Sequence, residues 1–235
     1  MSKPWIEGPK ELILHGIEHS NKDTAFDARI AFISIDNAVE LMIKTYLGLP
    51  KRITNIKGLK RNDLEDASQN FPALLDLLES FGADKIRGIE LGDIEWYHRL
   101  RNQLYHEGNG ITIGIENISG YLEIAKILFN NLFEEKLVTS KLESPEGLTG
   151  IFIKLWGELE QFLYIHTKSK KIKNTIEYIN LYYEDGRLTK DDVQNFDLLR
   201  NFRNELVHGI KSPTPDKLAE MIDNLESLKE KLGVN

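Results

Sequence analysis

The chain has 235 residues, a net charge of −7, no cysteine, and a composition 41% hydrophobic and 29% charged. That length holds one large domain or two small ones, and the composition is ordinary for a globular protein. The missing cysteines exclude disulfides and thiolate metal sites and fit a reducing compartment, so a cytoplasmic location is expected. The acidic balance argues against a dedicated duplex-DNA binder, so any nucleic-acid contact must use local patches. The polar stretch Met1 to Lys10, with Pro4 and Pro9, is not expected to act as a signal peptide, and no apolar run approaches a membrane span.

Helical periodicity dominates the chain from its start. A first helix is predicted from Pro9 to about His19. Asp23 is the expected cap of a long second helix, which runs to Leu47 with apolar positions at Phe26, Ile30, Ile33, Val39, Met42, Ile43 and Tyr46 and stops at Gly48 and Pro50. A basic connector follows, then a short helix from Pro72 to Phe81, a helix from Asp93 to Glu107 and a long one from Glu116 to Leu137. The alternation Ile111-Thr112-Ile113-Gly114-Ile115 reads as a short connector. Thr139 to Gly147 reads as a linker. Beyond it come helices from Leu148 to Thr167 and Ile172 to Glu184, with a second basic connector between them. Thr189, with Asp192 at the capping-box position, starts a helix that runs to His208. The last helix follows Pro213 and Pro215 and carries an apolar stripe of Leu218, Met221, Ile222, Leu225, Leu228 and Leu232.

The order of elements repeats, and so do residues. Leu100-Arg101-Asn102-Gln103-Leu104-Tyr105-His106 matches Phe202-Arg203-Asn204-Glu205-Leu206-Val207-His208, each near a helix end and a glycine. Ala38-Val39-Glu40-Leu41-Met42 aligns with Glu158-Leu159-Glu160-Gln161-Phe162, which puts Glu40 and Glu160 in equivalent places.

Asn102 and His106, four residues apart, share a helix face beside Arg101. The last turn of a helix favours a charged imidazole, and imidazole titrates near neutrality, so the His suits acid–base work. Arg offers a planar, permanently charged fork for a phosphate. This set points to metal-free phosphodiester cleavage with the ribose 2′-hydroxyl as nucleophile, and hence to RNA. Should the two halves pack about a pseudo-twofold axis, one composite cleft would hold Arg101, Asn102, His106, Arg203, Asn204 and His208 as catalytic residues. One His would take a proton and the other give one. The structural alternative pairs Arg101 with Glu40 and Arg203 with Glu160, with His106 and His208 as helix caps.

The paired motifs resemble the signature of the HEPN superfamily: Arg, a polar residue, a short spacer, then His. The resemblance covers most of residues 21–235 and implies an all-α protein of two tandem four-to-five-helix bundles packed as a pseudo-twofold pair. The expected divisions are an extension helix at 1–20, domains at 21–138 and 148–235, and a linker at 139–147. It further implies a metal-independent endoribonuclease without cofactor, acting as a toxin, in antiviral defence or in stress, with an RNA substrate, a protein antitoxin or defence-system partner, and a site at a dimer interface. Members paired with nucleotidyltransferase antitoxins often carry Tyr two positions after the His; Gly108 and Ile210 stand there, which argues against that pairing. Other members are non-catalytic, so a module binding a protein partner or RNA is the second reading. The neutralising partner of a toxin is a third, suggested by the acidity.

Lys51, Arg52, Lys57, Lys60 and Arg61 in the first connector, and Lys168, Lys170, Lys171 and Lys173 in the second, are candidates for an RNA path, against the bland reading of solvated loops. His98, Asn102 and His106 have metal-face spacing but no completing carboxylate, and no metal is expected; His98 is kept as an extension of the RNA surface. Trp96, Tyr97 and Tyr105 are expected in the core, and His15 and His19 on the surface without an acidic partner. No Walker loop, dinucleotide fingerprint or Gly-x-Ser-x-Gly elbow is present.

Overall fold

The computed structural model describes residues 3–22, 24–106, 112–137, 147–170, 175–208 and 213–234, the side chains of 106 and 167–170 excepted. Among these residues the protein is all-helical, with eleven α-helices and no strand. After a 3-10 turn at Pro4–Ile6 come α1 (Glu7–Ser20) and α2 (Ala25–Gly48). The first basic connector is not a plain loop, since it holds two short helices, α3 (Lys51–Thr54) and α4 (Arg61–Ala67). Then follow α5 (Phe71–Gly82), α6 (Leu91–His106), α7 (Ile115–Phe133), α8 (Leu148–Lys170), α9 (Thr175–Glu184), α10 (Lys190–Val207) and α11 (Pro215–Leu232). The expected linker lies outside the described residues up to Gly147, as do Ile111, Gly108 and Ile210.

Local chemistry accounts for most of the boundaries. Thr24 in extended geometry accepts the Asp27 N–H and caps α2, so the cap falls one residue past the expected Asp23, which lies outside the described residues. Thr189 and Asp192 form the full reciprocal box at α10, and Thr214 with Pro215 at the first position starts α11. Glu134, at φ 50°, ends α7 in the left-handed region, four residues before the end expected from the apolar pattern.

Burial follows the stripes. On α2, Ala31, Ile35, Ala38, Val39, Met42, Ile43 and Tyr46 are buried at three–four spacing, while Phe26, expected among them, is exposed near the helix start. The predicted α11 stripe is buried throughout. α1 and α7 both pack along α2, α7 also packs on α8, and α8 packs on α11, so one apolar core runs through both halves of the chain. Gly88 and Gly157 fix how the chain ahead of α6 meets α8. Gly88 has φ 74°, and a Cβ there would lie 2.6 Å from the Gly157 carbonyl oxygen. This close approach sets the start of α6 against the second half. Among the described residues no helix is long and apolar enough to cross a membrane.

Candidate functional site

α6 takes part in both motif sites: it carries Arg101, which meets α2, and it presents Asp93 to Arg203. The first site is centred on Asp36, a fully buried carboxylate in the middle of α2. Burying an anion is costly unless donors surround it, and three groups do so here. Tyr121 of α7 donates its hydroxyl to Oδ1 at 2.8 Å. His98 Nδ1 lies 3.0 Å from Oδ2, and Arg101 Nε stands 3.2 Å from the same oxygen. Arg101 is then pinned by its other nitrogens. Nη2 donates to Asn37 Oδ1 at 2.8 Å and Nη1 to Asn102 Oδ1 at 2.9 Å.

A guanidinium has five N–H groups. One on Nη1 and one on Nη2 are hydrogen-bonded and the Nε–H faces Asp36 as an ion-pair contact without a hydrogen bond, which leaves one each on Nη1 and Nη2, on a side chain 20% exposed. Tyr105 lies beneath the guanidinium with 4.9 Å to the ring centroid, and 56% of Tyr105 is exposed, so it is a surface ring and not the core residue expected. Burial of Tyr97 and Tyr121, stacked 4.3 Å apart behind the site, pushes both phenols well above their usual range. The His98 ring stacks on Phe71 at 3.8 Å, which fixes its plane. The scaffold partner expected for Arg101, Glu40, instead holds Lys44 at 2.5 Å on its own helix.

The second motif is placed differently. Arg203 is 1% exposed. Its guanidinium meets Asp93, in the first turn of α6, and stands 3.4 Å from Glu90, so its partners come from the opposite half of the chain. Glu160, the expected partner, acts at longer range: desolvation pushes its carboxyl up to about 7, Arg203 opposes the shift, and Glu90 and Asp93 add to it. Burial likewise raises Asp93 against the pull of Arg203, and the surrounding carboxylates raise Arg203 further despite its burial. His208 Nε2 lies 3.5 Å from Asp93, and its ring meets Trp96 edge-on at 5.9 Å, with a third of the side chain exposed. Arg203 also donates to Asn204 Oδ1 at 3.4 Å, the counterpart of the Arg101–Asn102 contact.

The two motif arginines therefore sit on different carboxylates, Asp36 and Asp93. Asp93 precedes Arg101 by eight residues, about 12 Å along the α6 axis. His106 ends α6, and its side chain lies outside the described residues.

The connector cations lie elsewhere. Lys51, Arg52, Lys57, Lys60 and Arg61 are all exposed, with Arg61 paired to Glu65 at 2.8 Å. The α2 stretch from Asp36 to Gly48 carries the chain about 18 Å away from the Arg101 anchor before Lys51 is reached. The side chains of Lys168 and Lys170, and residues Lys171 and Lys173, lie outside the described residues. His15 and His19 do have partners: Ser34 Oγ lies 2.9 Å from His15 Nδ1, and Asp27 Oδ1 lies 2.7 Å from His19 Nδ1. Among the described residues no group of three or more His, Asp or Glu stands ready to hold a metal ion.

Two features of the first site were not legible in the residues. Asp36 had no motif to mark it, although an acidic residue amid the buried stripe of a long helix is the available signal. His98, noted only for its spacing, gains its meaning from Asp36, 62 residues away. No protein-family model, no curated protein and no solved structure matches this chain.

Proposed function

We propose that this protein is a HEPN-type, metal-independent endoribonuclease whose working centre lies on the first half, around Arg101, Asn102 and His106. The observation that carries this reading is the state of Arg101. Its plane is fixed by Asp36, Asn37 and Asn102, while two N–H groups remain uncommitted at a partly open surface. A pre-oriented guanidinium of this kind suits the charge that develops on a phosphate during cleavage, because no reorganisation is needed as the charge forms. His106, one turn past Asn102, is the natural proton donor to the leaving oxygen.

In this reading the halves are diverged copies of one bundle. The common order of long helix, motif helix and final helix supports it. The copies no longer serve equal roles: Arg203 is a buried tie to Asp93 and Glu90, and Arg101 keeps the phosphate-facing role. The test is purified protein incubated with total RNA in EDTA. The expected outcome is fragments ending in 2′,3′-cyclic phosphate. Arg101→Ala should slow cleavage at least 100-fold, the scale set by loss of one oriented donor. RNA left intact by the folded wild-type chain removes the nuclease.

The burial of Arg203 favours a second reading, a non-catalytic module in which both motifs are scaffold. Under it the protein binds RNA or a protein partner without cleaving, so the same incubation separates the two.

A further inference from the structure

Cleavage by a 2′-hydroxyl needs two proton transfers, one from the nucleophile and one to the leaving oxygen. A symmetric pair of motifs would supply one imidazole from each half. Here the second motif is turned toward Asp93, and another imidazole stands on the first site. His98 is three residues before Arg101 on α6 and shares the Asp36 carboxylate with it. We infer that His98, held by Asp36, is the general base of a one-sided site contained within the first half; this rests on the ribonuclease reading.

The geometry supports the role in three ways. A buried carboxylate that accepts at Oδ2 requires the proton on Nδ1 of a neutral ring, which leaves the lone pair on Nε2. The Phe71 stack and the Asp36 contact together fix the ring, so the lone pair has one direction. The side chain is 12% exposed, so the ring is not sealed off, and it sits on the same Asp36 carboxylate as Arg101, itself 20% exposed. A carboxylate behind an imidazole also stabilises the cation that forms when the ring takes a proton.

The step balances with groups already named. The 2′-hydroxyl gives its proton to Nε2 of His98, and its oxygen forms a bond to phosphorus. The bond from phosphorus to the 5′-oxygen breaks, and that oxygen takes a proton from the acid of the site or from water. Arg101 faces the two non-bridging oxygens. The products are a 2′,3′-cyclic phosphate and a free 5′-hydroxyl, and the His98 cation returns its proton to solvent.

His98→Ala should lower the cleavage rate about 100-fold or more, the usual worth of a positioned base, while binding of a non-cleavable 2′-deoxy oligonucleotide stays unchanged. Added imidazole should restore part of the lost rate, and the limb of the pH–rate profile that reports the base should disappear. His98→Asn keeps a donor to Asp36 and removes the free ring nitrogen, so it should be as slow as His98→Ala with a native circular dichroism spectrum. Because it retains the Asp36 contact, that variant also serves if stranding the Asp36 carboxylate in His98→Ala unfolds the chain. A wild-type rate and pH profile in His98→Asn would overturn the assignment while leaving the nuclease standing. A wild-type protein that cleaves no RNA would overturn both.

Discussion

Arg101 and Arg203 occupy equivalent places in a repeated sequence motif, yet their surroundings differ in kind. Around Arg101 there is one carboxylate and two amide oxygens, and the guanidinium keeps donors to spare. Around Arg203 there are Asp93, Glu90 and, further out, Glu160, and no surface. Removing one partner of a buried pair strands the other charge without solvent. Arg203→Met should therefore destabilise the protein by about 3–5 kcal/mol in urea unfolding, whereas Arg203→Met with Asp93→Leu should recover much of the loss, since an apolar pair replaces an ionic one. A single variant as stable as wild type would mean that the pair contributes nothing. The motif itself could be read from the residues. What each guanidinium touches could not, because Asp36 and Asp93 lie 65 and 110 residues from their arginines in the numbering, and nothing local encodes such contacts.

Helices were the most legible level, and the reason is that their signals are local. The Thr189 and Asp192 box, the Pro215 start and the α11 stripe each act within one or two turns and were visible as spacing. The errors came where local signals were weak or in competition. The basic connector holds α3 and α4 because short helices need only a few residues and a neighbouring surface, and α4 packs on α2 and α5. Likewise Tyr105 sits at a helix end where the core no longer covers it, so aromatic character alone misplaced it. The capping box gives a direct measurement at this scale. Thr189→Ala removes the acceptor for the Asp192 N–H, and the hydroxyl's own bond to Asp192 Oδ2 at 2.7 Å is lost with it. The expected cost is about 1 kcal/mol, read as a lower urea midpoint at constant m value. Since α10 holds Arg203, and its C-cap His208, against α6, a larger loss would show that fraying of its start propagates to the contact between the halves.

For the whole molecule, that contact should make stability depend on pH in an unusual direction. Salt-bridged carboxylates such as Asp192 have lowered values and stabilise a fold as pH rises. Glu160 is the opposite case, with its carboxyl pushed up to about 7 by burial and by Glu90 and Asp93. Between the ordinary glutamate value and about 7, the folded chain keeps the Glu160 proton and the unfolded chain has released it. Stability from this residue is therefore full below the unfolded value, falls as pH rises through the window, and is constant above it. Asp93, also raised by desolvation, contributes a slope of the same sign above the ordinary aspartate value. Glu160→Gln keeps the shape and removes the titration. Relative to wild type it should gain about 2 kcal/mol between pH 5 and pH 8, a figure already reduced for the partial exposure of the side chain. Urea unfolding of both proteins at the two pH values measures the gain. A difference that stays flat across the window would place Glu160 in ordinary contact with solvent and would remove the carboxylate cluster around Arg203 as the electrostatic core of the joint between the halves.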